Sequence, residues 1–221
     1  MKATIRPRVK ICCISSVQEA QMAIEAGANM LGLVSAMPSG PGVIEESLIA
    51  EIAEQMPPGV TSVLLTSLQE PELIIEQQRR CRVNALQLVD SLPAGSHHYL
   101  RAALPGIALI QVIHVTGPES LAEAIAVAPY VHAILLDSGN PTLPVKELGG
   151  TGRVHDWQIS RAIREAVSVP VYLAGGLNPD NISAAIEQVG PFGLDICSGV
   201  RTNGKLDEQK LTALFGQLRY L

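Results

Sequence analysis

The chain has 221 residues, with 16 Lys and Arg against 21 Asp and Glu and a net charge of −5. Hydrophobic residues make up 47% and charged residues 17%, which excludes a disordered chain and predicts a large core. Aromatics are only 3%, so this acidic chain lacks both the basic footprint for duplexes and the stacking platforms for single strands, and nucleic acid is excluded as a partner.

Residues 1–10 are basic and short, and no apolar segment with a small-residue cleavage site follows, so no secretory signal is expected. From residue 9 onward, apolar runs alternate with helical patterns. Strands are predicted over residues 9–14, 30–34, 61–66, 85–89, 108–115, 133–137, 169–174 and 194–198. The first helix starts at Ser16, three residues before Glu19 as in a capping box, and ends at Gly27. The others fall roughly over 45–55, 70–82, 97–104, 118–128, 156–166, 179–189 and 207–218. Continuous apolar strands are covered on both faces, as in parallel sheets. Eight βα units at about 28 residues each suit a compact (β/α)8 TIM barrel, while a doubly wound open sheet uses the same units and remains open on periodicity alone. No linker or shift of composition divides the chain, so one domain over 1–221 is expected.

The longest nearly apolar run, 102–115, holds Pro105, Gly106, Gln111 and His114 and is too short to span a membrane. The four cysteines (Cys12, Cys13, Cys81, Cys197) are scattered without a CxxC pair, so neither a disulfide framework nor a zinc site is expected. The chain reads as cytoplasmic with reduced thiols.

Chemistry in a barrel sits at the C-terminal strand ends. In Val9-Lys-Ile-Cys-Cys-Ile14, alternation sends Val9, Ile11 and Cys13 toward the helices and Lys10 and Cys12 into the barrel. A buried cysteine is ordinarily a small hydrophobe, but a lysine one strand step below favours a thiolate. In Leu194-Asp-Ile-Cys-Ser198 the same alternation turns Asp195 inward. Because strand 8 neighbours strand 1 in a closed barrel, Lys10 and Asp195 are predicted to form a buried ion pair beneath Cys12. Asp137 ends strand 6, either as a cap or as a functional acid. The loop over residues 139–155 is long for a compact domain, and its glycines suit closure or ligand contact. Gly175 and Gly176 after strand 7, with Ser198 and Gly199 after strand 8, let backbone amides approach an anion. The five histidines show no metal-ligand spacing; His97 and His98 are expected to be exposed, and His114 reads as a core residue.

Lys10-Ile-Cys12, Glu25-Ala-Gly-Ala-Asn-Met-Leu-Gly-Leu33, Gln87 in Ala-Leu-Gln-Leu, and Leu135-Leu-Asp-Ser138 resemble the phosphoribosylanthranilate isomerase family of tryptophan biosynthesis. So do Gly149-Gly-Thr-Gly152 with Asp156-Trp157, Leu173-Ala-Gly-Gly-Leu-Asn-Pro179 and Gly193-Leu-Asp-Ile-Cys-Ser-Gly-Val200, in the right order along nearly the whole chain. The resemblance implies a (β/α)8 barrel and a cofactor-free, metal-free Amadori rearrangement, with Cys12 as general base and Asp137 as general acid. It implies substrate or phosphate contacts at Lys10, Gln87, Gly152, Gly175, Gly176, Asp195, Ser198 and Gly199. The partner is then a small phosphorylated substrate, and the protein a monomer or homodimer.

Five residues depart from the family pattern. The family's serine-proline-arginine loop after strand 2, whose arginine engages the anthranilate carboxylate, reads here Ser35-Ala-Met-Pro-Ser-Gly-Pro-Gly42, with Pro41 in the arginine's place. The glycine after the cysteine is Cys13, the histidine-glycine after strand 4 is Val89-Asp90, and the glutamate after the last Ser-Gly-Val is Arg201. Arg201 and Lys146 are the candidate replacement cations. Three readings follow: the isomerase itself, a paralogue acting on another phosphoribosyl amine or sugar phosphate, and a silent barrel that binds a phosphorylated metabolite.

Overall fold

The computed structural model describes residues 6–149 and 152–219; Gly150 and Thr151 of the glycine-rich run, and the chain ends of the expected 1–221 domain, lie outside the described residues. Eight parallel strands, β1 (Arg8–Ile11), β2 (Met30–Val34), β3 (Thr61–Thr66), β4 (Ala85–Leu88), β5 (Ala108–His114), β6 (Ala133–Asp137), β7 (Val171–Leu173) and β8 (Gly193–Ile196), close in sequential order. The barrel shuts with β1 hydrogen-bonded to both β2 and β8, which rules out the open sheet. Helices α1 (Val17–Ala26), α2 (Glu46–Glu54), α3 (Pro71–Cys81), α4 (Ser96–Ala103), α5 (Glu119–Val127), α6 (Trp157–Ala166), α7 (Ile182–Val189) and α8 (Glu208–Gln217) follow the strands in turn.

Strand alternation builds two cores. Val9, Ile11, Leu31, Leu33, Leu64, Leu86, Leu88, Ile134, Leu136, Leu194 and Ile196 face the helices in one cluster. Met30, Val63, Ala85, Ile110, Val112, Ala133, Leu135 and Tyr172 fill the barrel in the other. At about 25 cal/mol per Å² of apolar surface, burial on both faces is the dominant stabilisation of such strands.

Local chemistry sets the helix ends. Ser16 caps α1 by accepting from the Glu19 amide at 3.1 Å, and Gly27 ends it in the left-handed region at φ 113°. The capping box is not reciprocal in the expected way: the Glu19 carboxylate accepts from the Ser15 amide (3.0 Å), one residue before the cap. Asp156 caps α6 through the Gln158 amide at 2.8 Å.

One element was not expected. After a single 3-10 turn (Ser198–Val200), β9 (Arg201–Thr202) and β10 (Lys205–Leu206) form a hairpin. Asn203 and Gly204 turn it with φ 52° and 78°, the two positive values a type I′ turn requires, so Asn-Gly was the legible signal. Two histidine expectations divide. His114 is a buried core residue whose ring Nε2 pairs with the Val89 carbonyl, whereas His97 is half-buried rather than exposed because its ring meets Gln111 at 2.8 Å.

Candidate active site

Lys10 and Cys12 enter the barrel from β1. The Lys10 ammonium donates to both oxygens of Asp195 at 2.9 Å and to the Cys12 sulfur at 3.3 Å. Lys10 and Asp195 are register partners across the β1–β8 seam, as alternation predicts. Lys10 is 0% exposed and Asp195 8%, so neither charge survives there without the other. Burial pushes the Lys10 ammonium down, and Asp195 with Cys12 more than reverses this, so Lys10 stays charged. The Cys12 thiol is held below its ordinary range by a hydrogen bond from Cys13 and by the Lys10 charge, against burial, which pushes it up.

The room for this triad comes from Gly32 in β2. A Cβ there would lie 2.7 Å from the Cys12 sulfur and 2.9 Å from the Lys10 nitrogen. Glycine inside a strand otherwise weakens it; here it marks a close approach.

Cys13 corrects the sequence expectation. It does not face the helices but joins the inner cluster beside Cys12. The reason is backbone: β1 ends at Ile11, and Cys13 sits in the left-handed region at φ 62°, where alternation no longer holds. Its sulfur accepts from the Cys197 thiol at 2.8 Å and lies 3.6 Å from the Pro41 carbonyl, so three thiols meet at the barrel mouth.

Asp137 reaches the mouth from the end of β6, on the same face as Ala133 and Leu135. One of its oxygens accepts from the Ser138 amide at 2.7 Å. The loop beyond folds back over it: Asn140 and Glu147 pair backbone to backbone, and a Cβ on Gly149 would lie 2.5 Å from the other Asp137 oxygen. Further along, Gly175 and Gly176 are both left-handed (φ 82° and 63°), and side chains there would crowd the backbone of Gly152 and Arg153. The glycines thus allow the β6 loop to lie directly on the turn after β7.

Cys12, Gln87, Asp137, Gly152, Gly175, Gly176, Asp195 and Ser198 line one cleft of about 660 Å³. The buried Gln87 Oε1 has no hydrogen-bond partner among the described residues, which leaves it for a ligand. Two of the expected contact residues stand apart. Lys10 lies beneath the cleft rather than in its wall, and Gly199 packs against the Leu177–Asn178 backbone, where a Cβ would overlap the Leu177 carbonyl.

Neither candidate replacement cation reaches the cleft. The Lys146 ammonium is held by buried Asp90 at 2.5 Å, and Arg201 is spent on Glu19 and on backbone carbonyls. Among the described residues, no Lys or Arg lines the cleft, whose outer wall is Met37, Pro41 and Leu148. The walls formed by Met37 and Leu148, and the thiols of Cys13 and Cys197, escaped sequence reasoning. Cys13 in a glycine position was the one legible sign of a left-handed residue.

A closed parallel barrel with a thiol–lysine couple and a carboxylate facing one cleft at its C-terminal mouth defines a (β/α)8 enzyme built for proton transfer. The family model described as N-(5'phosphoribosyl)anthranilate (PRA) isomerase matches residues 9–217, and the chain belongs to that family. It is 37% identical to N-(5'-phosphoribosyl)anthranilate isomerase 2 of Methanosarcina mazei, over 92% of this chain and 90% of that protein. It is 34% identical to the isomerase of Thermosynechococcus vestitus, covering 99% and 93%. Among solved structures, the phosphoribosyl anthranilate isomerase of Thermotoga maritima superposes with a TM-score of 0.83 at 29% identity, covering 97% of this chain and all of that one. A phosphoribosyl anthranilate isomerase in complex with reduced 1-(o-carboxyphenylamino)-1-deoxyribulose 5-phosphate superposes at 0.80 with 27% identity and the same coverage.

Proposed function

We propose that this chain converts N-(5'-phosphoribosyl)anthranilate into 1-(o-carboxyphenylamino)-1-deoxyribulose 5-phosphate by an Amadori rearrangement. The observation that carries the reading is the Cys12–Lys10 couple and Asp137 opening into one cleft. Asp137 as general acid gives its proton to the ring oxygen as the furanose opens to a C1 iminium. Cys12, as thiolate and general base, then takes the proton from C2, and the resulting enolamine settles to the 2-keto product. In that last step the Cys12 thiol returns its proton at C1 and the O2 hydroxyl proton restores Asp137; C1 is reduced as C2 is oxidised within one molecule, so the reaction needs no cofactor. The substrate phosphate sits against the glycine turn at Gly175–Gly176 and against Ser198, with Gly152 above, and Gln87 meets the sugar. Asp195 and Lys10 act on Cys12 from below.

The reading includes one domain, a cytoplasmic location and a monomer or homodimer. The biosynthetic role of the family and four free thiols support the location, and no helix of the described residues is long and apolar enough to cross a membrane.

The test is complementation of a tryptophan auxotroph lacking this isomerase, with a fluorescence assay of the purified protein. Growth and turnover, competitively inhibited by inorganic phosphate, are expected; a folded protein that supports neither overturns the reading. The absence of Lys and Arg from the cleft wall among the described residues favours a second reading, in which another phosphoribosyl amine is the better substrate. It carries its own expectation: a Michaelis constant for phosphoribosylanthranilate raised at least about tenfold over that of the M. mazei relative, since a charge-assisted hydrogen bond contributes about 1.5–3 kcal/mol. Equal constants would dismiss it.

A further inference from the structure

Arg201 makes an unusual set of contacts for a buried arginine. Its Nη2 donates to the Cys13 carbonyl (2.5 Å), the Cys12 carbonyl (3.1 Å) and Glu19 (3.1 Å), and its Nη1 to Glu19 (3.2 Å) and the Gly204 carbonyl (3.0 Å). Glu19 is itself fixed by the amides of Ser15 and Leu206. The guanidinium therefore joins the exit of β1, the first turn of α1 and the β9–β10 hairpin. What it grips is the one strained place beside the base: Cys13 at φ 62°, a conformation L side chains rarely adopt. The side chain of Cys13 also has little choice of slot, since a Cβ on the facing Gly42 would come within 2.5 Å of its Cβ.

We propose that Arg201 is a positioning residue: by holding the carbonyls of Cys12 and Cys13 it keeps the left-handed turn that places the Cys12 sulfur beside Lys10. The proposal rests on Cys12 being the general base. Arg201 touches backbone and not the sulfur. The groups that face the sulfur directly are Lys10 and Cys13 from its own segment and Asp195 from β8, with Cys197 against Cys13 and Asp137 on the far side of the cleft. Without the guanidinium, Cys13 relaxes to negative φ, the Cys12–Cys13 peptide rotates, and the sulfur leaves the ammonium that favours its thiolate.

Glycine takes a left-handed conformation without strain, so it should remove the need for the clamp. The experiment compares wild type, Arg201→Met, Cys13→Gly and the double variant by three readouts. These are the pH dependence of Cys12 alkylation by iodoacetamide, located by fragment-ion mass spectrometry, together with kcat against KM and the melting temperature. Arg201→Met is expected to raise the Cys12 titration by about one pH unit and lower kcat at pH 7 about tenfold, with KM changed less than about threefold. In the Cys13→Gly background the same substitution should move the titration and kcat by less than about twofold, the signature of coupled neighbours. The melting temperature should stay low in both Arg201→Met variants, because Glu19 remains buried without its partner. A purely structural arginine gives another pattern: either the Cys12 titration does not move, or it moves equally with and without glycine at 13, and either result overturns the proposal. Should Arg201→Met fail to fold, Arg201→Lys keeps the charge for Glu19 but cannot fork to both carbonyls; an unshifted titration in that folded variant also overturns it. The alkylation arm needs no substrate, so a wild type without isomerase activity sinks the functional reading and leaves this test intact.

Discussion

Replacing Cys12 with Ala is expected to lower kcat for the isomerisation by about 10²–10⁴, the range lost with a positioned general base, while the fold survives. Survival follows from the packing: Cys12 lies at the mouth, above the apolar layers of the barrel, so losing its sulfur removes one atom from the cleft wall and leaves those layers intact. In wild type the pH profile carries the same signature. In the proposed mechanism the base works as thiolate, so activity is expected above its pKa and is lost as pH falls through it. Because that pKa is held below the ordinary thiol range, the acid limb of kcat lies below the usual cysteine titration. Cys12→Ser should abolish that limb along with the rate. A variant losing less than about tenfold would transfer the base to another residue.

Replacing Lys10 with Met is expected to act on stability and chemistry together. It strands Asp195 in the barrel interior at 8% exposure, and breaking a buried pair costs about 3–5 kcal/mol. For a domain of this size that is about 6–20 °C in melting temperature. The paired change Lys10→Met with Asp195→Leu removes both charges and should recover most of the stability, since an apolar pair of similar volume is often neutral. It should not recover the base: in both variants the Cys12 titration moves up, and the acid limb of kcat moves up with it. Denaturant unfolding and thiol titration read the two effects separately. An unshifted Cys12 titration in folded Lys10→Met would make Lys10 purely structural and leave the activation to Cys13 alone.

The barrel and its two-sided strands were legible because period-2 alternation and eight regular units leave few alternatives. The same arithmetic found the Lys10–Asp195 pair across the seam, since closure and parity suffice to bring residues 10 and 195 together. It fails two residues past the strand. Cys13 was sent to the helix side because alternation presumes extended backbone, and the left-handed φ that overrides it depends on Arg201, which lies 188 positions away. The Lys146–Asp90 pair was equally hidden, because it depends on the path of a long loop rather than on any local pattern. Asp137 reads as cap or acid from sequence, and the structure shows both features: it accepts from the Ser138 amide and lines the cleft with Cys12 beneath Gly149.

The seam pair has a consequence for the chain while it is being made. The ammonium that favours the Cys12 thiolate and the carboxylate that keeps this ammonium charged are 185 residues apart. At ribosomal speeds of about 5–20 residues per second, roughly 10–40 s separate their emergence. During that interval the chain lacks the carboxylate that fixes Lys10 beside Cys12. In the proposed mechanism, the pairing that fixes Lys10 beside Cys12 forms only when the last strand docks against the first, so barrel closure is the step expected to favour the thiolate.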